Sequence, residues 1–208
     1  MKKWKLFLDL DTEEAWLNHM QATGYRLVDV HLYSHRYTFV PVDSGESPAV
    51  RIDFRNQGMS KRDYQDYRQL FADSGWTWIA GSRHGGMQYF EQADMAVAPD
   101  IFSDQASKVR NRQQASYYSL FFGLLFFAYA GYMIYTQFGN WSGIFNAKSW
   151  YLTPGLWQMS GGAFLRAWLF ETPFALMRII PIYLLFGISG YYSMRFWYSY
   201  RQSVPRGH

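Results

Sequence analysis

The sequence predicts an α+β domain followed by two transmembrane helices, and three observations lead to this fold class. One order of elements, strand–helix–strand–strand, occurs twice in the first hundred residues. Two later segments are long and apolar enough to cross a bilayer. Charge changes at the same boundary: residues 1–100 hold 11 Lys and Arg against 14 Asp and Glu, whereas residues 101–208 hold 9 against 2. We therefore predict a duplicated βαββ antiparallel sheet with two helices on one face, followed by two transmembrane α-helices.

The first repeat unit covers residues 3–43 of an α+β domain that we place at 1–98. Its opening residues alternate between apolar and polar side chains, which predicts a strand that continues to Leu10. Asp11 with a Glu three positions later has the spacing of a helix capping box, and Gly24 is typical of a helix C-terminus. Two further strands then form a hairpin.

The pattern restarts after a turn at 44–48, so the second repeat unit covers residues 49–92. Residues 49–55 alternate as a strand, Ser60 begins a helix, and Gly75 ends it. A second hairpin follows. Because the two units match element by element, we predict a pseudo-two-fold axis at which the two initial strands are neighbours.

One face of these two initial strands is the predicted binding surface for a ligand or a partner. Strand alternation places five charged side chains on the face that points away from the helices. They are Lys5, Asp9, Arg51, Asp53 and Arg55. Two interpretations stay open, namely a solvated face with cross-strand ion pairs and a site for a polar ligand or a partner segment.

Two segments in the second half are predicted to span a membrane. Residues 117–138 hold 22 residues without a charge, and residues 173–195 form a second apolar stretch that contains Arg178. A helix of this length crosses a hydrocarbon core of roughly 30 Å. A charge inside a span usually has a partner, and Glu171, two helical turns earlier, is the predicted partner of Arg178. The alternative is that Arg178 reaches the outer membrane surface.

Lys and Arg near the ends of the spans predict the orientation, because cytoplasmic flanks carry the excess of positive charge. We expect a multi-pass membrane protein with both termini cytoplasmic, a basic linker at 99–116 that begins with Pro99, and a tail at 196–208. The basic residues expected at the membrane surface are Lys108, Arg110, Arg112, Arg195 and Arg201, with Arg206 in the tail.

The segment between the spans, residues 139–172, is predicted to be extracytoplasmic and is unusually aromatic for a loop. Residues 161–172 are too short to cross a membrane alone, so we predict a separate helix there. It could lie in the headgroup region, re-enter the membrane or pack on a partner.

Several stretches of the first domain resemble one protein family. They are KWKLFLDLDTEEAWLNHMQATGYRL, the hairpin ending RYTF, VRIDFR, DYxDYxxLFADSGW and GGMQYF. Over residues 2 to about 112 the chain resembles the domain of unknown function 2812 family. The resemblance implies a bacterial inner-membrane protein with a cytoplasmic domain, often encoded near PadR-type transcription regulators. It implies no established activity and no catalytic residues.

The sequence offers no motif for catalysis. It lacks the glycine-rich phosphate loops, the HExxH zinc motif and the GxSxG nucleophile motif, and it has no cysteine. His31 and His35 are four residues apart, but on a predicted hairpin this spacing does not bring them together as it would on a helix. We therefore expect no enzyme activity, no cofactor and no metal. The net negative charge of the first domain also argues against nucleic acid as a partner.

Two function classes follow from this pattern. The first is a non-enzymatic membrane-anchored sensor or regulatory protein whose cytoplasmic domain binds a small ligand or a protein. The second is an accessory subunit of a membrane transporter or membrane enzyme complex. The expected partners are the lipid bilayer and a membrane or cytoplasmic protein, and a homo-oligomer is left open.

Overall fold

The computed structural model describes residues 1–42, 48–94, 96, 98, 100–102 and 104–203. The end of the predicted unit 3–43, most of the predicted turn at 44–48, Pro99, Arg206 and the last residues of the predicted tail lie outside this range.

The first part of the chain contains the predicted order of elements twice. The first unit consists of β1 (Lys2–Trp4), α1 (Leu10–Ala22), β2 (Tyr25–His31) and β3 (Arg36–Pro41). The second consists of β4 (Val50–Arg55), α2 (Lys61–Asp73), β5 (Trp76–Ala80) and β6 (Gly86–Gln92). Two long helices follow, α3 (Gln105–Phe138) and α4 (Gly161–Ser203), with three short 3-10 turns between them (Trp141–Phe145, Ala147–Trp150 and Leu156–Gln158). The predicted α+β class and its duplicated order are confirmed.

Each repeat unit forms its own three-stranded antiparallel sheet. The strand orders are β1-β3-β2 and β4-β6-β5, which are equivalent between the two units. The pairing register shifts once in each hairpin, between Leu27 and Asp29 in β2 and between Trp78 and Ala80 in β5. Two equivalent irregularities in two equivalent sheets support an internal duplication.

The arrangement of strands differs from the predicted one at the pseudo-axis. β1 and β4 are outer strands of separate sheets, and β2 and β5 are the strands that approach each other. Strand alternation identifies which side chains face a core but does not determine which strands are neighbours. The first strand is also shorter than predicted, because the carboxylate of Asp9 accepts a hydrogen bond of 2.6 Å from the backbone N–H of Thr12 and caps α1 at Leu10.

α1 and α2 pack on opposite faces of the second sheet. A main apolar cluster includes side chains of α1, and a second cluster joins Tyr67 of α2 to Phe90 of β6. Phe54 packs in the main cluster with Leu17 of α1, whereas Asp53, the preceding residue of β4, bonds to Tyr67 of α2. The main cluster contains Phe7, Leu10, Leu17, Met20, Leu27, Val30, Tyr37, Phe39, Val50, Ile52, Phe54, Ala80, Tyr89 and Ala115. The second sheet is therefore covered on both faces, which differs from the predicted sheet with both helices on one face.

The chain divides into two compact units. One contains Met1–Ser119 together with the end of α4 from Met194, and the other contains Leu120–Ser193. Both α3, with 34 residues, and α4, with 43, are long and apolar enough to cross a membrane. At 1.5 Å per residue they are about 51 Å and 64 Å long, so each exceeds a hydrocarbon core of roughly 30 Å.

The long helices also extend beyond the predicted spans. α3 includes residues 105–116, which belong to the predicted linker, and α4 joins the predicted separate helix at 161–172 to the predicted span at 173–195. Pro173 lies inside α4 and does not end it. The carbonyl of Leu169 is the one that loses its helical N–H donor at Pro173, and the neighbouring carbonyl of Trp168 accepts a 2.6 Å hydrogen bond from the hydroxyl of Thr172.

The aromatic segment between α3 and α4 packs within its own unit. Ile144 shares an apolar cluster with Ile134 of α3 and with Ile179 and Ile182 of α4. The hydroxyl of Tyr183 donates a hydrogen bond of 3.0 Å to the carbonyl of Ile144. Part of the apolar surface of this segment is therefore covered by the two helices.

Candidate functional site

The structure does not bring the five residues of the predicted binding surface onto one open face. Asp9 and Asp53 are buried, Arg51 is half-buried, and Lys5 and Arg55 are exposed. The side chain of Lys5 lies over the Phe7 ring, 4.9 Å from its centroid, and the guanidinium of Arg55 lies 4.9 Å from the Tyr67 ring centroid. The predicted surface does not form because β1 ends at Trp4 and because α2 covers the outer face of β4.

Side chains, instead of another strand, complete the outer edge of β4. The backbone N–H of Val50 donates a 2.8 Å hydrogen bond to Oδ1 of Asn18 in α1, and Nδ2 of Asn18 donates a 3.1 Å bond to the carbonyl of Val50. Asn111 in α3 makes the same two bonds to Phe54. The backbone N–H of Phe54 donates a 3.2 Å hydrogen bond to Oδ1 of Asn111, and Nδ2 of Asn111 donates a 3.1 Å bond to the carbonyl of Phe54. Each amide side chain therefore imitates the two bonds of a neighbouring strand.

Glu14 and Arg112, which carry opposite charges, bond to the backbone of Ile52, the residue of β4 that lies midway between Val50 and Phe54. The backbone N–H of Ile52 donates a 2.7 Å hydrogen bond to Oε1 of Glu14, and Nη1 of Arg112 donates a 3.3 Å bond to the carbonyl of Ile52. Arg112 also forms ion pairs with Glu14 at 3.0 Å and with Asp11 at 2.8 Å. We call the bonds of Asn18, Glu14, Arg112 and Asn111 to Val50, Ile52 and Phe54 the side-chain ladder.

The side-chain ladder joins α3 to the α+β domain. Asn111 and Arg112 are buried, and both precede the apolar part of the helix. A buried backbone group without a partner costs about 1–3 kcal/mol, so the ladder removes a large penalty at this edge. The first turns of α3 are consequently part of the domain.

Asp53 forms a second connection to α3. Its carboxylate accepts a 2.6 Å hydrogen bond from the hydroxyl of Tyr67 and another bond from the amide of Asn111. Burial raises the pKa of Asp53 above its ordinary value, and the two donors and nearby Arg55 oppose that rise. Asp53 therefore links α2, β4 and α3 through one buried carboxyl group.

Glu13 is at the centre of a buried polar cluster under the end of α4. Its side chain is 2% exposed, and Oε1 accepts hydrogen bonds of 2.7 Å from Tyr37 and 2.6 Å from Tyr89. Burial raises the pKa of Glu13, although both tyrosine hydroxyls and the positive charge of Arg195 lower it. Arg195 is itself buried, and its Nη2 lies 3.8 Å from the sulfur of Met87.

Two of the five basic residues predicted at the membrane surface are instead buried in the α+β domain. They are Arg112 in the side-chain ladder and Arg195 near Glu13. The prediction was wrong for these two because it counted only the positive charges near the spans. It ignored the carboxylates of Asp11, Glu13 and Glu14, which attract the two arginines. Those acids in the first turns of α1, together with the Asn-Arg pair before the first span, are the signal that could have identified this site.

The other three basic residues do not enter the core of the domain. Lys108 is half-buried and forms an ion pair of 3.1 Å with Asp100. Arg110 and Arg201 are exposed, and the guanidinium of Arg201 lies 4.3 Å from the ring centroid of Trp197.

The predicted ion pair between Glu171 and Arg178 does not form. Among residues 104–203, Glu171 instead accepts hydrogen bonds from the backbone N–H groups of Leu152 and Thr153, the latter at 2.8 Å. Arg178 donates a hydrogen bond to the carbonyl of Trp150. The two charged side chains therefore fasten neighbouring parts of one loop to α4.

One open groove lies on the surface of the α+β domain. It has a volume of about 440 Å³ and lies between α2 and β5. Its lining residues include Trp78 and the buried Trp76, and the guanidinium of Arg68 lies 4.1 Å from the ring centroid of Trp78. In the described part of the chain, no three His, Asp or Glu side chains are grouped so that they could hold a metal ion.

Comparison with known proteins identifies a family. A family model described as a protein of unknown function (DUF2812) matches residues 9–127, more than half of the chain. The chain belongs to the DUF2812 family. The matched range begins after β1 and ends inside α3, so it includes Asn111 and Arg112 as well as the rest of the α+β domain. No curated protein and no solved structure shows a significant match to this DUF2812 chain.

Proposed function

We propose that this DUF2812 protein is a non-enzymatic, membrane-anchored sensor or regulatory protein of the bacterial inner membrane, with both termini cytoplasmic. Its α+β domain binds a small ligand or a protein partner and passes the resulting change to the long helices. The side-chain ladder is the observation that carries this proposal. Through it, a helix long and apolar enough to cross a membrane begins as part of the folded domain.

A rigid connection favours regulation over simple anchoring. A flexible linker would attach a domain to a membrane without transmitting its changes, whereas Asn111 and Arg112 bond directly to the backbone of β4. A shift of β4 would therefore break or move bonds to α3. This arrangement fits a domain whose conformation biases the position of a helix.

The end of α4 provides a second connection to the same domain. Arg195 lies close enough to Glu13 to lower the pKa of that carboxyl group, and Oγ of Ser199 lies 3.5 Å from the carbonyl oxygen of Leu8. Both long helices thus contact the α+β domain with polar side chains. The groove between α2 and β5 provides a surface for the ligand or partner, since the partly buried indole ring of Trp78 lies there beside the guanidinium group of Arg68.

The alternative function, an accessory subunit of a membrane transporter or membrane enzyme complex, is supported by a different surface. The segment between α3 and α4 leaves large apolar side chains exposed, including Trp141, Phe145 and Leu152. Exposed apolar groups of this size are typical of contacts with another protein or with lipid.

Crosslinking of the full chain in native membranes, followed by mass spectrometry, distinguishes these functions. An amine-reactive crosslinker can use Lys61 at the start of α2 and Lys148 between the long helices, both of which are exposed. The regulatory proposal expects a protein partner joined through Lys61, and the crosslink should disappear in Lys61→Arg, which keeps the charge. Partner crosslinks confined to Lys148, and lost in Lys148→Arg, would instead favour the accessory subunit and contradict the regulatory proposal.

A further inference from the structure

The N-terminal segment exposes large apolar side chains next to positive charge. Trp4 is 65% exposed and Leu6 is 62% exposed, while Lys2 and Lys5 are also exposed. The first eight residues contain no acid. Phe7 is buried in the main cluster, so the segment is attached to the domain while its neighbour Leu6 points outward.

This segment lies beside the part of α4 that has the composition of a membrane interface. The carbonyl oxygen of Leu8 is 3.5 Å from Oγ of Ser199. On either side of Ser199 in the same helix, Trp197 is exposed and the guanidinium of Arg201 lies 4.3 Å from its ring centroid. Indole rings and basic groups of this kind are concentrated at the level of the lipid headgroups.

We propose that Met1–Leu6 is a contact site for an anionic lipid surface. Trp4 and Leu6 insert at the boundary between headgroups and acyl chains, and Lys2 and Lys5 bind the negatively charged headgroups. An indole ring prefers this boundary, and basic side chains are attracted to anionic leaflets. This inference rests on the membrane insertion of α4 that the proposed function includes.

Lipid fits the segment better than a second copy of the chain does. β1 is an outer strand of only three residues, and two of them are Lys2 and Lys3. Pairing this strand with its own copy would bring like charges close together across the new strand pair, which is unfavourable. An anionic surface matches both the charge and the exposed apolar groups.

The chain has no cysteine, so a single introduced cysteine gives a unique site for a nitroxide label. The test uses Leu6→Cys and the matched control Leu70→Cys, whose leucine on α2 is 64% exposed. Each full-length variant is placed as one copy per nanodisc, in phosphatidylcholine alone or mixed with phosphatidylglycerol. Power-saturation electron paramagnetic resonance then compares the accessibility of the label to oxygen and to a water-soluble nickel chelate.

The label at residue 6 should lose at least half of its accessibility to the nickel chelate in phosphatidylglycerol discs, relative to the label at residue 70. Replacement of Lys2 and Lys5 by Gln in the Leu6→Cys chain should restore that accessibility. Equal nickel accessibility at residues 6 and 70 in anionic discs would overturn the proposal. Protection at residue 6 that is independent of lipid charge and persists in detergent would also overturn it, because it would indicate a protein contact.

A label at Ile188 in α4 separates this outcome from failure of the membrane anchor. Ile188 is 40% exposed, and its label should be accessible to oxygen and protected from nickel if α4 is inserted. A protected label at residue 188 together with an exposed one at residue 6 would reject only the lipid contact. Nickel access at residue 188 would reject the membrane anchor of the proposed function itself.

Discussion

Replacement of Asn111 by alanine tests whether the side-chain ladder connects α3 to the α+β domain. The substitution removes both bonds to the backbone of Phe54 and the bond to the carboxylate of Asp53. Asn111 is only 7% exposed, so the groups it leaves are poorly reached by water. With about 1–3 kcal/mol for each buried group left without a partner, and partial relief by an entering water, we expect a loss of about 3 kcal/mol.

Asn18→Ala is a matched comparison for this substitution. Asn18 makes the same two kinds of bond to Val50 as Asn111 makes to Phe54, but it belongs to α1. Both variants should weaken β4, whereas only Asn111→Ala should loosen α3. The difference between the two variants therefore isolates the connection to the long helix from a general loss of domain stability.

Hydrogen exchange measured by mass spectrometry on the full chain in nanodiscs is the assay. A loss of about 3 kcal/mol in the free energy of opening corresponds to about a hundredfold faster exchange, which we expect for β4 in both variants. Residues 105–116 of α3 should exchange faster only in Asn111→Ala. Unchanged exchange of that stretch in Asn111→Ala, with β4 loosened as expected, would refute the proposed connection.

Three further predictions concern buried or partly buried charges. Arg112→Met should lower the free energy of unfolding by about 3–5 kcal/mol in chemical denaturation, because Glu14 loses its counter-charge. Adding Glu14→Gln to this variant should recover part of the loss, and no recovery would contradict the ion pair. Burial raises the pKa of Glu13 above 4.5, so its protonation stabilises the fold fully below about pH 4.5, and this contribution is lost as pH rises through the raised pKa. Glu13→Gln should therefore flatten the fall of Tm with rising pH, and an unchanged profile would count against the assignment. Glu171→Gln should speed hydrogen exchange of the Leu152 amide roughly fivefold to tenfold, because the charged acceptor of its hydrogen bond becomes neutral. Equal exchange rates in the variant and the original chain would show that this bond does not protect the loop.

The repeat, the hairpins and the long apolar helices could be predicted because each depends on a local pattern. Side-chain periodicity, glycines at helix ends and uninterrupted apolar stretches are visible within about twenty residues. Gly24 and Gly75, for example, end equivalent helices with φ of 84° and 79°, a conformation that glycine adopts without strain.

The candidate site could not be predicted in the same way, because its bonds join distant parts of the chain. Asn111 and Phe54 are 57 residues apart, and Arg112 and Asp11 are 101 residues apart. Local pattern was also misleading at the first strand, where apolar alternation continues to Leu10 although Asp9 already caps a helix. Charge counting near the spans could not distinguish Arg112, which is buried, from Arg110, which is exposed.

The side-chain ladder also affects how the α+β domain behaves when it is cut away from the rest of the chain. A fragment that ends near residue 100 keeps Asn18 and Glu14 but loses Asn111 and Arg112, so half of the β4 edge becomes bare backbone. Bare strand edges recruit other strands and promote aggregation. Such a fragment should self-associate during recombinant expression, whereas one that continues to Ser119 keeps the β4 edge covered and should self-associate less.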